Sequence, residues 1–591
     1  MTKKTYTYIL SFVIWVIFCL SLGRLFGGEA FDLSKEKLFT LNTHSQKTAQ
    51  SIANPINFRL YISSNLASYS RELYNYASYV TDILGQYQKQ NPQNIKFEVV
   101  RPKPYSAEAQ IAEEIGAAPI AFGDEYAYFA LQIFNDDKKT IIPQLIPERR
   151  PYFENDINRI LSAYINKQKP IVGFLSPEIP VFKSEGKIKS WTVIDQMAQY
   201  YKLLDIPTNA LYIPANVKAL VLLNPQELPP HFLYVLDQYV MGGGKLLIFV
   251  DPYSEVNHFY KGYPPRNKTN ITDLLKHWGI EYDNSLSVGN YTQSVRLVDG
   301  TQYPLWFFTS AEGFEKLHFR TPGSIELNPQ ENLQYEILLK TPADGGEIKS
   351  EKLRYSNKKN AVEQYFSTQK TYNLAVKASG EFVSYYINDQ IEPEENTPPF
   401  IYFSSPKAAV AVVADTDFFA DDGWALSSNR KNLIYGTAPY ADNAEYILSL
   451  IDYLLTEDKN SFSDYTPKYF DNSNIAAEIA QPQLLKTVEI KNKLENTCKK
   501  ERDSIRKLKN IILLSEKGKA LQYRKQLAEE EKLLQKCTNE LEKLNTQNLH
   551  ITKSKLYLLI TLNTFAFPMA IIVIMALIYF FARRNKFKGL K

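Results

Sequence analysis

The sequence predicts an α/β membrane protein of several domains, and three observations carry that expectation. Short apolar runs such as IVGFLS (171–176) and KLLIFVDP (245–252) alternate with amphipathic helical patterns over much of the chain, as parallel strands covered by helices do. The stretch LYLLITLNTFAFPMAIIVIMALIYFFA (556–582) carries no charge and exceeds the ~20 residues that span a bilayer. At 591 residues the chain is also too long for a single core. Its 68 basic and 64 acidic residues leave a net charge of only +4, too little to attract nucleic acid.

The ends set the expected topology. YTYILSFVIWVIFCLSL (6–22) follows Lys3 and Lys4 and reads as an N-terminal transmembrane anchor over 1–28. A cleaved signal peptide ending near Gly28 and Ala30 is the alternative. Residues 554–591 read as a second transmembrane helix with a basic tail. Arg583, Arg584, Lys586 and Lys588 place that tail in the cytoplasm, because cytoplasmic flanks are enriched in positive charge. Both termini are then cytoplasmic and the bulk of the chain lies outside.

Residues 29–165 run strand, helix, strand, helix, hairpin. INFRLYIS (56–63) and NIKFEVV (94–100) are strands. Residues 70–90 carry Leu73, Tyr76, Val80, Ile83 and Leu84 at helical spacing, and AEAQIAEEIG (107–116) is a short helix stopped by Gly116. YAYFALQIF and KTIIPQL form a hairpin about NDDK. That order resembles a thioredoxin-like domain, with Pro119 where such folds place a cis-proline. The loop after the first strand, SSNLASY, holds no cysteine pair, so redox chemistry is not expected.

Residues 166–475 are expected to form a doubly wound, amidotransferase-like α/β domain with an insertion at about 256–400. Sheet segments at 171–176, 219–225, 245–252 and 407–419 alternate with helices at 191–201, 231–241 and 441–455. YVMGGGK (239–245) invites comparison with a phosphate loop. Its glycines follow a helix and precede a strand, whereas a phosphate loop runs strand, glycines, helix, so they read as a helix stop. Ligands on such sheets sit at the carboxyl ends of the strands. Asp251, Asp415, Asp417 and Asp421 fall there and form the one candidate ligand site. ADTDFFADDGW does not have the oxygen spacing, sixth-position glycine and late glutamate of a calcium loop, and aspartates at strand ends also cap helices and shape turns. No cysteine lies between residues 20 and 497, no G-x-S-x-G elbow is present, and His231, His258 and His277 are scattered. Neither a catalytic residue nor a metal or cofactor is expected.

Residues 476–553 read as an antiparallel helical hairpin. Leu494, Cys498, Ile505, Leu508 and Ile512 share one helix face, as do Leu527, Leu534, Cys537, Leu541 and Leu544, with Gly518 between the arms. Folding there makes positions summing to 1035 face one another, so that Leu508 meets Leu527 and Cys498 meets Cys537. A Cys498–Cys537 disulfide is expected in an oxidising compartment, against the alternative of two unrelated thiols.

The segments FDLSKEKLFTLNTHSQK, LPPHFLYVLDQYVMGGGKLLIFVDPYSEV, LLKHWGIEYDNSLSVGN, YNLAVKASGEF, VAVVADTDFFADDGWAL and YADNAEYILSLIDYLL follow in order. They resemble the auxiliary component of gliding-motility-type ABC transporters (the GldG-like family), whose middle domain is similar to one in an intraflagellar transport protein. The resemblance implies a non-enzymatic subunit at the bacterial inner membrane, without a cofactor. Its partners would be an ABC-2-type permease and a separate ABC ATPase, consistent with the lack of a Walker motif here. A periplasmic glycan- or peptide-binding protein, or an unrecognised periplasmic enzyme, is the alternative.

Overall fold

The computed structural model describes residues 37–469, apart from short stretches of which 182–190, 257–268, 389–397 and 427–437 are the longest, and a few positions between 504 and 536. The chain divides into two units, Met1–Tyr469 and Phe470–Lys591.

The first unit begins with a four-stranded sheet. Its strands are β1 (Ile56–Ile62), β2 (Ile95–Val100), β3 (Phe129–Phe134) and β4 (Lys139–Ile142), in the order β2-β1-β3-β4. β1 and β2 are parallel, and β3 and β4 run antiparallel to their neighbours. Helices α1 (Thr43–Gln50), α2 (Arg71–Gln90), α3 (Ala107–Glu114) and α4 (Phe153–Ile165) accompany it. Each of the first three starts on a side-chain cap: Asn42, Ser70 and Ser106 accept from the backbone N–H three residues on, the capping that polar residues favour there. In α2 the residues Tyr76, Tyr79, Val80, Ile83, Leu84 and Tyr87 are all buried, one face at steps of three and four. Among the described residues no peptide bond is cis, so the expected cis-proline at Pro119 is not found.

A nine-stranded sheet follows. β5 (Ile171–Leu175), β6 (Lys202–Asp205), β7 (Val217–Leu223), β8 (Lys245–Phe249), β9 (Ile280–Asp283), β10 (Ser324–Leu327), β11 (Leu333–Lys340), β12 (Asn373–Gly380) and β13 (Ala409–Val413) form it. The order is β9-β10-β12-β13-β8-β7-β5-β6, with β11 also paired to β12. From β13 to β6 every pairing is parallel, whereas β9 to β12 pair antiparallel. The sheet is therefore mixed rather than doubly wound throughout. The region at about 256–400 supplies four of the nine strands and also forms two three-stranded sheets of its own. The physical reason lies in β13, which is apolar at every position and buried throughout. An open edge there would leave a row of unpaired backbone groups, and β12 covers it.

Alternation along β8 divides two cores. Leu247 and Phe249 face one with α5 (Thr192–Tyr200) and α7 (Asn443–Thr456). Leu246 and Ile248 face the other with α6 (Pro230–Met241). The glycine run ends α6: Gly242, Gly243 and Gly244 donate to the carbonyls of Gln238, Val240 and Tyr239. Gly243 adopts φ 86°, the left-handed turn that stops a helix.

The expected fold class is corrected on its membrane spans. Among the described residues no helix is long and apolar enough to cross a membrane. The longest, α2, is amphipathic and carries Glu72, Asp82 and Lys89. The segments 1–28 and 554–591, with Arg583, Arg584, Lys586 and Lys588, lie outside the described residues, as do Cys498 and Cys537. Of the expected hairpin, Ser504 donates to Glu530 Oε1 at 3.3 Å, one residue from the expected register.

Candidate functional site

β8 and β13 are adjacent and parallel, with Phe249 opposite Val413, and both run out at aspartates. Past a strand end the backbone N–H groups lose their ladder partners and need acceptors. Asp251 supplies two, taking the N–H of Tyr253 at 2.8 Å and of Thr416 at 3.0 Å. Asp415 takes Arg320 N at 2.7 Å and Phe418 N at 3.0 Å. Asp417 takes Glu255 N at 2.8 Å and Val256 N at 2.9 Å. Each of the six carboxylate oxygens thus accepts a backbone N–H.

These three carboxyls are buried and lie within 4.8 Å of one another. Burial, reinforced by the neighbouring negative charges, pushes Asp251 and Asp415 well above the carboxylate range. Burial raises Asp417 to about 7, with the Arg320 guanidinium opposing the rise. Three adjacent charges cannot all persist in so dry a site, so protons are shared among them. Chemically this is a hydrogen-bonded clasp that ties the chain after β8 to the chain after β13.

The pH dependence follows from the sign of the shift. A carboxyl with a raised folded pKa binds protons more tightly when folded. Its stabilisation is full below the unfolded value near 3.8 and is lost as pH rises through about 7. Asp417→Asn, which lacks this titration, should therefore show a larger stability deficit against wild type at about pH 5 than at about pH 8. Thermal melts at both values check this, and a deficit that grows with pH would contradict it. His318 titrates with the opposite sign, since burial lowers it to about 4, but it is common to variant and wild type, so the comparison reports on the linked group Asp251, Asp415 and Asp417.

Asp421 is not part of the clasp. It accepts from Thr192 N at 2.8 Å and from Thr192 Oγ1 at 2.9 Å, at the start of α5. Asp422 pairs with Arg320 at 2.8 Å. Arg320 ends the strand Phe314–Arg320, donates to Glu255 Oε2 at 2.8 Å and lies over the Trp306 ring. His318 Nδ1 sits 2.7 Å from the Gly423 carbonyl, 3.1 Å from the Tyr440 hydroxyl, and the ring stacks on Phe308. Sequence reasoning missed Arg320, Glu255 and His318. The region at about 256–400 reads as an insertion, and only the return of its chain to the sheet brings them to the strand ends.

A second buried network joins the small sheet to the large one. Arg159 donates to both oxygens of Glu445 at 2.8 and 2.9 Å and pairs with Asp156, which Arg149 also grips at 2.6 and 2.9 Å. All four are almost fully buried. Asn155 donates to Glu445 Oε2 and to the Tyr465 carbonyl, and the Tyr152 hydroxyl donates to Asp442 at 2.7 Å.

Comparison with known proteins places this geometry in context. Residues 169–449, which include the clasp and most of the large sheet, match the family model described as "ABC-type uncharacterized transport system". Residues 35–134 match a "Domain of unknown function (DUF7088)". The first match supports an auxiliary component of an ABC transporter, and with it a non-enzymatic role and association with a membrane transport system. No curated protein matches the chain. Among solved structures, the "mmIFT52 N-terminal domain" aligns at 12% identity and a TM-score of 0.27, over 49% of this chain and 98% of that one. The exo-beta-1,4-mannosidase Op5Man5 from Opitutaceae bacterium strain TAV5 aligns at 10% identity and a TM-score of 0.18, over 59% and 46%. At those scores neither likeness bears on fold or function.

Proposed function

We propose that the chain is a non-catalytic accessory subunit of an ABC-type transport system, coupling an ABC-2-type permease and a separate ABC ATPase to a cargo or partner outside the cytoplasm. The family match over residues 169–449 carries this reading. The site geometry supports it. At the strand ends, where an enzyme of such a fold would hold its substrate, the carboxylate oxygens of Asp251, Asp415 and Asp417 are engaged by backbone amides. Their work is to hold two connections together. Gliding motility is one process such a transporter would serve. A helical hairpin over 476–553 would serve as its stalk, and the Ser504–Glu530 hydrogen bond supports the pairing of its two arms.

Catalysis is the competing class, and an activity screen separates the two. The purified full chain is expected to hydrolyse no ATP and to release no product from panels of glycoside and peptide substrates. Turnover that disappears in Asp417→Asn, while the variant stays folded, would overturn the accessory reading.

A further inference from the structure

Beside the clasp lies a cluster of cations with unused donors. Lys358 opens the short helix Lys358–Gln364 and is half-buried. Its ammonium stands 3.2 Å from the centre of the Trp306 ring and 5.4 Å from that of Tyr303. Among the described residues it meets no hydrogen-bond acceptor. Arg320 Cζ lies 4.9 Å from the same Trp306 centroid, so two cations share one indole. Glu255 is the acid between them, and it is already committed, accepting from Trp306 Nε1 at 2.7 Å and from Arg320 at 2.8 Å. Arg320 Nε and Arg354 Nε are both buried without an acceptor. Tyr303, Leu353 and the partly buried Trp306 form one apolar cluster, which gives the donors a low-dielectric backing.

The energetics argue against a purely internal role. A half-buried ammonium loses hydration, and burial lowers the Lys358 pKa accordingly. A cation over an aromatic face recovers only ~0.5–2 kcal/mol, and buried N–H groups without acceptors are costly and uncommon. Glu255 and Asp422 both serve Arg320, and among the described residues neither meets the Lys358 ammonium within ion-pair distance. An anion arriving from solvent would take the Lys358 donors, offset the Arg320 charge, and gain the strength of charge-assisted hydrogen bonds.

We propose that Lys358 and Arg320, which share the Trp306 ring, form a subsite for the anionic group, a carboxylate or a phosphate, of a small ligand. Lys358 supplies the direct contact, Trp306 positions its ammonium, and Glu255 keeps Arg320 aimed at the site. The site lies at the strand ends, yet it is separate from the clasp, whose oxygens face backbone amides.

The test uses the full chain labelled with 5-fluorotryptophan, the Trp306 fluorine resonance being assigned by its absence in Trp306→Phe. Glucuronate, inorganic phosphate and glucose are titrated separately to about 20 mM, the weak range expected of a single subsite. A saturable shift of the Trp306 signal with glucuronate or with phosphate is expected, and the effective probe identifies the group. Lys358→Gln should weaken that binding about tenfold or more, while Lys358→Arg retains it and both keep the wild-type melting temperature. Three results would overturn the subsite: silence with both anions, an equal response to glucose, or unchanged binding in Lys358→Gln.

Discussion

Arg159→Met is expected to destabilise the protein by about 3–5 kcal/mol, the range for removing one partner of a buried ion pair. Arg159 is fully buried and grips both oxygens of Glu445. Methionine fills much of the same volume but leaves the Glu445 charge with the Asn155 amide as its hydrogen-bond donor and with the Arg149 charge, already committed to Asp156, near by. Asp156 keeps its second partner, Arg149, so the uncompensated group is Glu445. Adding Glu445→Gln should therefore recover a large part of the loss, because the stranded charge is then removed. Chemical denaturation of the two variants checks both statements. A loss below about 1 kcal/mol in Arg159→Met would place the pair among weak surface-like bridges, and the junction of the two sheets would need another explanation.

Asp415→Ala should be nearly as damaging, by about 2–4 kcal/mol, since an orphaned buried donor costs ~1–3 kcal/mol and two are left. These are Arg320 N and Phe418 N, which Asp415 now accepts at 2.7 and 3.0 Å. Some relief comes from the removal of one negative neighbour of Asp417, which then ionises more readily. The melting temperature should fall clearly, and any loss of function should follow from that. If Asp415→Ala and Asp417→Ala abolish function while the melting temperature stays put, the three aspartates form a ligand site and not a clasp.

Much of the architecture was legible because its signals are local. The run KLLIFV (245–250) is apolar throughout, and the structure buries β8 on both faces. The period of three and four across Tyr76, Val80 and Leu84 marks α2. The glycines after Val240 mark the end of α6. The aspartates at the ends of β8 and β13 were legible as a group too, because parallel neighbours end side by side. That Asp421 belongs to α5 instead was not visible, since its partner Thr192 lies 229 positions away.

What stayed hidden depends on long-range pairing. β12 joins β13 antiparallel, and nothing in YNLAVKASGEF says which edge it will seek. The same holds for Arg320 and for the Arg159–Glu445 pair, whose members are 286 positions apart. A buried arginine and a solvent-facing one read alike in sequence, because charge is visible there and burial is not. The membrane helices expected at both ends were read from hydropathy alone, and no helix among the described residues answers to them.

Native mass spectrometry of the tagged full chain, extracted from its own cells in a mild detergent, tests the central claim most directly. The account predicts a discrete assembly containing a permease and an ABC ATPase in fixed ratio to this chain. The chain recovered alone or as a self-assembly, from preparations in which the permease and ATPase are present and bound to each other, would contradict it.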